Sequence, residues 1–301
     1  MKKLLSLALI ALLAGCATGP RIDKTLTAKS QSSRVKFVVL HYTVSNLPSS
    51  IKILTEQVVS SHYLLTDEKK PVIYGLVDET RQANHAGVSN WKNYSLLNTS
   101  SIGIEIVNPG FTMSADGKRI WYPFPKEQID ELIPLLKKIV KEHNIPPENI
   151  IGHADIAPQR KQDPGPMFPW HELAKHGLTV WPDAAKVAAA KPGFEQLLPD
   201  ALWFQEKLAT FGYAVPRNGQ LDKETRNVIT AFQMRYRPMT IDGTPDAETA
   251  AMLEALVPSP PLPAVVPAPV VPAIPTVPEA PVPTPAPEPA PAAAPVIPTQ
   301  K

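Results

Sequence analysis

Between His153 and Pro166 the chain reads His-Ala-Asp-Ile-Ala-Pro-Gln-Arg-Lys-Gln-Asp-Pro-Gly-Pro, and neither a regular helix nor a central strand can run through it. Each proline fixes φ and lacks a backbone donor, so Pro158, Pro164, Gly165 and Pro166 force a turning loop on a defined path. That loop carries an imidazole (His153), an ammonium (Lys161) and a carboxylate (Asp163). A second imidazole, His41, follows the apolar run Val35-Lys-Phe-Val-Val-Leu40. Two histidines and one carboxylate make three zinc ligands, and zinc with three protein ligands keeps a fourth position for water. The pattern is that of a catalytic metal site.

The two ends of the chain differ from its middle. Lys2 and Lys3 precede an apolar stretch, Leu4 to Leu13, that is too short to span a bilayer, and Leu13-Ala14-Gly15-Cys16 follows. The tetrad resembles the lipobox of bacterial lipoproteins, which implies cleavage before Cys16 and acylation of its sulfur. Ala17 resembles the residue found there in lipoproteins sorted to the outer membrane, facing the periplasm. Cys16 is the only cysteine, so the chain forms no internal disulfide and offers no thiolate to a metal. At the other end, 17 of the 36 prolines fall after Val257, among Ala and Val and almost no charge. Lacking aromatic residues and periodicity, that tail cannot build a core and favours extended polyproline II, as a solvated spacer or a partner-docking segment. A net charge of +2, with no basic stripe, argues against nucleic-acid binding.

The intervening composition predicts a signal peptide (1–15), an acylated tether (16–33), a catalytic domain (34–182), a linker or short bridging helix (183–194), a small helical domain (195–257) and the tail (258–301). In the first domain Ser101-Ile-Gly-Ile-Glu-Ile-Val107 alternates, with Ile102, Ile104 and Ile106 on one face and Gly103, Glu105 and Val107 on the other. Lys126 to His143 carries one apolar stripe and predicts a helix kinked at Pro134 and ending at Asn144. Strand-like and helix-like stretches alternate, so the class is α/β with a mixed central sheet flanked by helices. In the second, Asn218-Gly-Gln-Leu-Asp-Lys-Glu-Thr225 recurs 24 residues later as Asp242-Gly-Thr-Pro-Asp-Ala-Glu-Thr249. A glycine turn followed by an aspartate N-cap predicts a three-helix unit, either generic or specialised.

The motifs Val-Leu-His41-Tyr-Thr, Ser-Ser-His62-Tyr, Asn-His85-Ala-Gly and Ser-Ile-Gly-Ile-Glu105, with the His153 loop, resemble those of the zinc-dependent N-acetylmuramoyl-L-alanine amidases, relatives of the peptidoglycan-recognition proteins. Gly212-Tyr213 and Ala231-Phe232-Gln233 are similar to the type 1 peptidoglycan-binding domain. The resemblance implies zinc on His41, His153 and Asp163, with Glu105 as catalytic carboxylate and Lys161 as its cationic partner. It also implies peptidoglycan and muropeptides as substrate. From the residues alone, Glu105 is either a base or a strand carboxylate facing water, and Lys161 a cation for an oxyanion or a surface lysine. His62 and His85 are either structural or line the cleft and touch substrate; Asp155 is either beside the metal site or a turn residue. Two rival functions remain at this point: a non-catalytic peptidoglycan recognition protein, and a zinc peptidase cutting within the stem peptide. The small domain is expected to be a tethered wall anchor, dispensable for small soluble substrates.

Overall fold

The computed structural model describes residue 20 and residues 22–259, so the lipobox at Cys16 and the proline-rich segment from residue 260 lie outside the described residues. Among the described residues no helix is long and apolar enough to cross a membrane.

A five-stranded sheet built from β1 (Phe37–Tyr42), β2 (Tyr63–Leu65), β3 (Ile73–Gly75), β6 (Ser101–Ile106) and β9 (Ile150–Gly152) forms the centre, in the order β3-β2-β6-β1-β9. β2, β6, β1 and β9 are parallel and β3 is antiparallel, so the sheet is mixed as expected. Helix α1 (Leu47–Glu56) and two small two-stranded ribbons complete the connections, β4 (Asn90–Trp91) with β5 (Tyr94–Ser95) and β7 (Phe111–Met113) with β8 (Arg119–Trp121).

The alternation in β6 sorts the two faces. Ile102, Ile104 and Ile106, with Val38 and Leu40 of β1, are buried in one apolar cluster with Ile129, Leu132, Leu136 and Ile139 of α2 (Lys126–His143). Gln128 of α2 donates to Thr66 O and Val107 O, pinning the helix to the strand ends. The helix has the predicted span and ends on Asn144 in the left-handed conformation, but it runs on through Pro134. Pro134 and Asp130 are both exposed, so the carbonyl left without its donor can turn to water.

The opposite face carries Phe37, Val39 and His41 of β1 with Ser101, Gly103 and Glu105 of β6. Here one expectation needs correction. Residues 183–194, read as a linker or short bridging helix, take the helical form as most of α5 (Ala184–Gln196), which packs along α8 (Ala247–Leu256). With α6 (Ala201–Phe211) and α7 (Lys223–Tyr236), α8 makes up the three helices expected of the small domain. That domain is not tethered: Phe37, Val39, Trp91 and Ile151 share one buried cluster with Phe204, Leu208, Tyr213 and Phe232. The amide of Lys92 donates to Gly212 O at 2.7 Å, and Trp91 stands edge-on to Tyr213 with centroids 5.0 Å apart.

The internal repeat is built as its composition implies. Asp222 and Asp246 cap α7 and α8 through the amides of Thr225 and Thr249. Each repeat also has a buried glutamine that clamps its glycine turn. Gln205 accepts from Gly219 N–H and donates to Thr225 Oγ1; Gln233 accepts from Gly243 N–H and donates to Thr249 Oγ1. Gly219 and Gly243 sit at φ +70° and +68°, where a side chain would be strained.

Candidate metal centre and active site

Three adjacent parallel strands end together, and each delivers one polar group. Register pairs His41 on β1 with Glu105 on β6, while β9 pairs Gly152 with Leu40, so His153 emerges beside His41. Ligand sites in open α/β sheets favour such carboxyl ends. His153 opens a one-turn helix, α3 (His153–Ile156), and the chain then loops back to bring Asp163 over both imidazoles. Asp163 Oδ2 lies 2.9 Å from His41 Nδ1 and 3.0 Å from His153 Nδ1, all three residues being buried.

The hydrogen bonds behind these rings decide what the facing nitrogens carry. Ser101 Oγ donates to Leu97 O at 2.6 Å, so it accepts from His85 Nε2 at 3.2 Å. His85 Nδ1 is then an acceptor and must receive the Nε2 hydrogen of His41, 3.0 Å away. A neutral His41 therefore turns a lone pair on Nδ1 toward Asp163. Burial, with the His153 ring close by, depresses the His41 pKa to about 4, so it is neutral near pH 7. His153 Nε2 lies 3.1 Å from Ala86 O and 3.3 Å from Arg160 Nη2; the neutral ring that donates to the nearer carbonyl has its Nδ1 lone pair toward Asp163. Burial raises the Asp163 pKa, yet a charged imidazole beside it outweighs that and holds it far below the usual range, so a proton held in this cluster sits on nitrogen and not on Asp163. Two nitrogen lone pairs and a carboxylate thus converge on one point, an arrangement that a cation satisfies and the three groups alone do not. The N,N,O donor set suits zinc.

Glu105 and Lys161 line the same cleft of about 210 Å³, beside His41, His85, His153 and Asp163. Glu105 Oε2 is buried with no hydrogen-bond partner. Burial and then the Asp163 charge raise the Glu105 pKa to about 8, with Lys161 opposing them. The five residues proposed from sequence as ligands and catalytic groups are therefore brought together.

His62 and His85, each read as structural or cleft-lining, differ in place. His62 is 0% exposed, with Nδ1 accepting from Gly103 N–H and Nε2 donating to Arg81 O, and it does not line the cleft. His85 does line it, but both ring nitrogens are engaged, one of them in holding His41. Its ring lies across Gly103, where a Cβ would stand 2.4 Å from the imidazole. His143, at the end of α2, is half-buried, between Ser33 Oγ at 2.8 Å and Glu79 Oε2 at 2.5 Å.

Sequence reasoning passed over two supports. Arg160 stitches the loop down, donating to Ala86 O at 2.5 Å and Val88 O at 2.7 Å. Asp155 points away from the ligands into the second domain, where Arg235 and Tyr213 meet it. Arg160 stands inside the quoted loop motif, whereas Arg235 lies 80 positions from Asp155 and no local pattern links them.

A central mixed sheet with the ligand cluster at its strand ends defines the class, and comparison with known proteins agrees. Residues 31–166 match the family model for N-acetylmuramoyl-L-alanine amidase, and residues 198–253 match that of a peptidoglycan binding domain. The chain belongs to the N-acetylmuramoyl-L-alanine amidase family. It is 44% identical over 260 residues to the N-acetylmuramoyl-L-alanine amidase AmiD of Escherichia coli, covering 82% of this chain and 94% of that protein. The AmiD structure, a complex with anhydro-N-acetylmuramic acid-L-Ala-D-gamma-Glu-L-Lys, superposes with a TM-score of 0.72 at 44% identity, covering 79% of this chain and 94% of AmiD. AmpDh3 of Pseudomonas aeruginosa, in complex with an anhydromuramic pentapeptide, gives 0.72 at 38% identity, covering 78% and 96%.

Proposed function

We propose that this protein is a zinc-dependent hydrolase of the bond between N-acetylmuramic acid and the L-alanine of the peptidoglycan stem peptide. In this reading His41, His153 and Asp163 hold the metal, Glu105 is the acid/base and Lys161 the cation for the oxyanion. The observation that carries it is the convergence of two buried Nδ1 atoms on one carboxylate oxygen. The relatives named as N-acetylmuramoyl-L-alanine amidases support the choice of bond.

Bound there, zinc would polarise the scissile carbonyl and lower the pKa of a water to about 7. The residues of the chain supply the rest. Glu105, with Oε2 unpartnered in the cleft, takes a proton from the attacking water and returns it to the leaving amine. Burial raises its pKa to about 8 in the metal-free protein, and a cation on the ligands would draw it back down toward the range in which a carboxyl both takes and gives a proton near neutrality. Lys161 offers its ammonium to the negative oxygen that develops on the lactyl carbonyl carbon. Hydrogen bonds through His85 and Ala86 keep both imidazoles in one tautomer throughout.

The lipobox and Ala17 support an anchor: acylated Cys16 tethering the enzyme to the periplasmic face of the outer membrane. The second domain, like the family it matches, would add affinity for the wall. Mass spectrometry of wall fragments digested with the protein tests the main reading. The expected products are free stem peptides beginning with L-alanine and intact glycan. Peptides cut internally would instead indicate a peptidase, and binding without release a recognition protein.

A further inference from the structure

We infer that Arg235 and Tyr213, both in the carboxy-terminal domain, are positioning residues for the metal centre and act on it through Asp155. The inference rests on the ligand assignment above. Asp155 stands two residues after His153 in α3 and is 2% exposed. Its Oδ2 accepts from Gly152 N–H at 2.8 Å and from Arg235 Nη1 at 2.5 Å, and its Oδ1 accepts from the Tyr213 hydroxyl at 2.6 Å. Arg235, 3% exposed, also reaches back past the ligand with its other nitrogen. Nη2 donates to Ile150 O at 3.0 Å and to Thr179 Oγ1 at 2.6 Å. One guanidinium thus grips β9 before the His153 junction and α3 after it.

The third ligand is joined to the same unit, because Ala154 N–H donates to Asp163 O at 2.8 Å. Above the junction the Arg235 guanidinium lies 4.0 Å from the centroid of the Trp170 ring, and Trp170 would touch a Cβ at Gly152. A buried charge pair is a poor way to add stability, since apolar groups of the same shape do as well or better. What it supplies is direction. The planar fork fixes two acceptors at set angles, and the carboxylate passes that constraint to α3. A small rotation of α3 would move the His153 ring and the Asp163 backbone together, and metal sites answer to such supports by about 10–100-fold in affinity or rate.

Full-length protein decides the matter, through zinc affinity measured by competition with a chelator and kcat and KM on a small soluble muropeptide. Arg235→Met should weaken zinc binding about 10–100-fold and lower kcat while leaving KM nearly unchanged. Tyr213→Phe, which removes only the hydroxyl, should fold normally and move zinc affinity the same way, more weakly. Leu253→Ala, a cavity in the same shared core but on α8, should lower the melting temperature and leave zinc affinity at the wild-type value. If Arg235→Met does not fold, Tyr213→Phe and the uncharged pair Asp155→Asn with Arg235→Met decide. Wild-type zinc affinity in those folded variants overturns the inference. Equal loss of zinc in Leu253→Ala overturns it too, since the site would then only follow global stability. A wild-type protein that takes up no zinc removes the ligand assignment itself, a failure separate from this one.

Discussion

Asp163 and Lys161 are two positions apart on one loop, yet the cleft gives them different work. Asp163 is the carboxylate on which both imidazoles converge, so Asp163→Ala should lose zinc on dialysis. Lys161→Ala should retain about one zinc per chain, because removing a positive neighbour does not oppose the metal. Its turnover should fall by roughly 10²–10³-fold, the scale of deleting one oxyanion donor. Metal analysis and initial rates check both, and a zinc-free or fully active Lys161→Ala would end its proposed role. Glu105 allows a test of its environment without chemistry. In the metal-free protein burial raises its pKa from the ordinary 4.5 to about 8, so its contribution to stability is complete below 4.5 and is lost as pH rises through 8. His41 acts in the opposite sense: its pKa is depressed from 6.5 to about 4, so its contribution is complete above 6.5. Between pH 6.5 and 8, therefore, Glu105→Gln should flatten a fall of about 2 kcal/mol in urea-unfolding stability, at 1.36 kcal/mol per pH unit. An unchanged slope would mean that Glu105 ionises freely in the metal-free cleft. At this scale the sequence was a good guide to the five groups, because each stands in a distinctive local motif. It was a poor guide to His62 and His85, whose roles are set by partners on other strands.

Among elements, β6 shows how tightly strand composition and site are joined. Its odd positions, Ser101, Gly103 and Glu105, each serve the ligand face: a hydroxyl to orient His85, an absent side chain to admit its ring, and a carboxylate at the strand end. Gly103→Ala would put a Cβ 2.4 Å from the His85 ring and must push it away from His41. We expect a loss of about 1–3 kcal/mol from overpacking and a zinc affinity reduced about 10–100-fold as the His41 tautomer is released. Adding His85→Ala should recover the stability and not the zinc affinity; chelator competition beside thermal melts separates the two effects. The alternation of β6 and the stripe of α2 were legible because each depends only on which face meets the sheet's core. The helix continues past Pro134, where an exposed carbonyl has water as a substitute partner. For residues 183–194 the sequence leaves a linker and a short bridging helix both open, because α5 has no buried residue: an alanine-lysine stretch without an apolar stripe gives no sign of packing along α8.

For the whole molecule, the question is what happens when the second domain is removed. The sequence suggested a tethered anchor whose loss would spare small substrates. Composition suggests where the chain divides, but it does not say whether two domains share a core, because apolar faces of helices look alike whatever they cover. Here Phe37, Val39, Trp91, Leu97, Ile151 and Ile156 of the first domain are buried in one cluster with side chains of the second. Fully exposing a side chain of this kind costs about 1.5–3 kcal/mol. Partial exposure of six therefore rivals the whole 5–15 kcal/mol that typically keeps a domain folded. Truncation after Pro182 would also strip Arg235 and Tyr213 from Asp155, leaving a buried carboxylate without its cation. We predict that such a protein is insoluble or unfolded and loses activity on soluble muropeptides and insoluble wall alike. Truncation after Ser259 removes only the proline-rich segment and should leave kcat and KM on soluble muropeptides unchanged, since the ligands and cleft residues found among the described residues all precede that point. Circular dichroism, melting temperature and initial rates on both substrates are the measurements. If the shorter protein folds and turns over soluble muropeptides at the full-length rate, the second domain is an anchor after all. The contacts of Arg235 and Tyr213 would then hold two bodies together without shaping the metal centre.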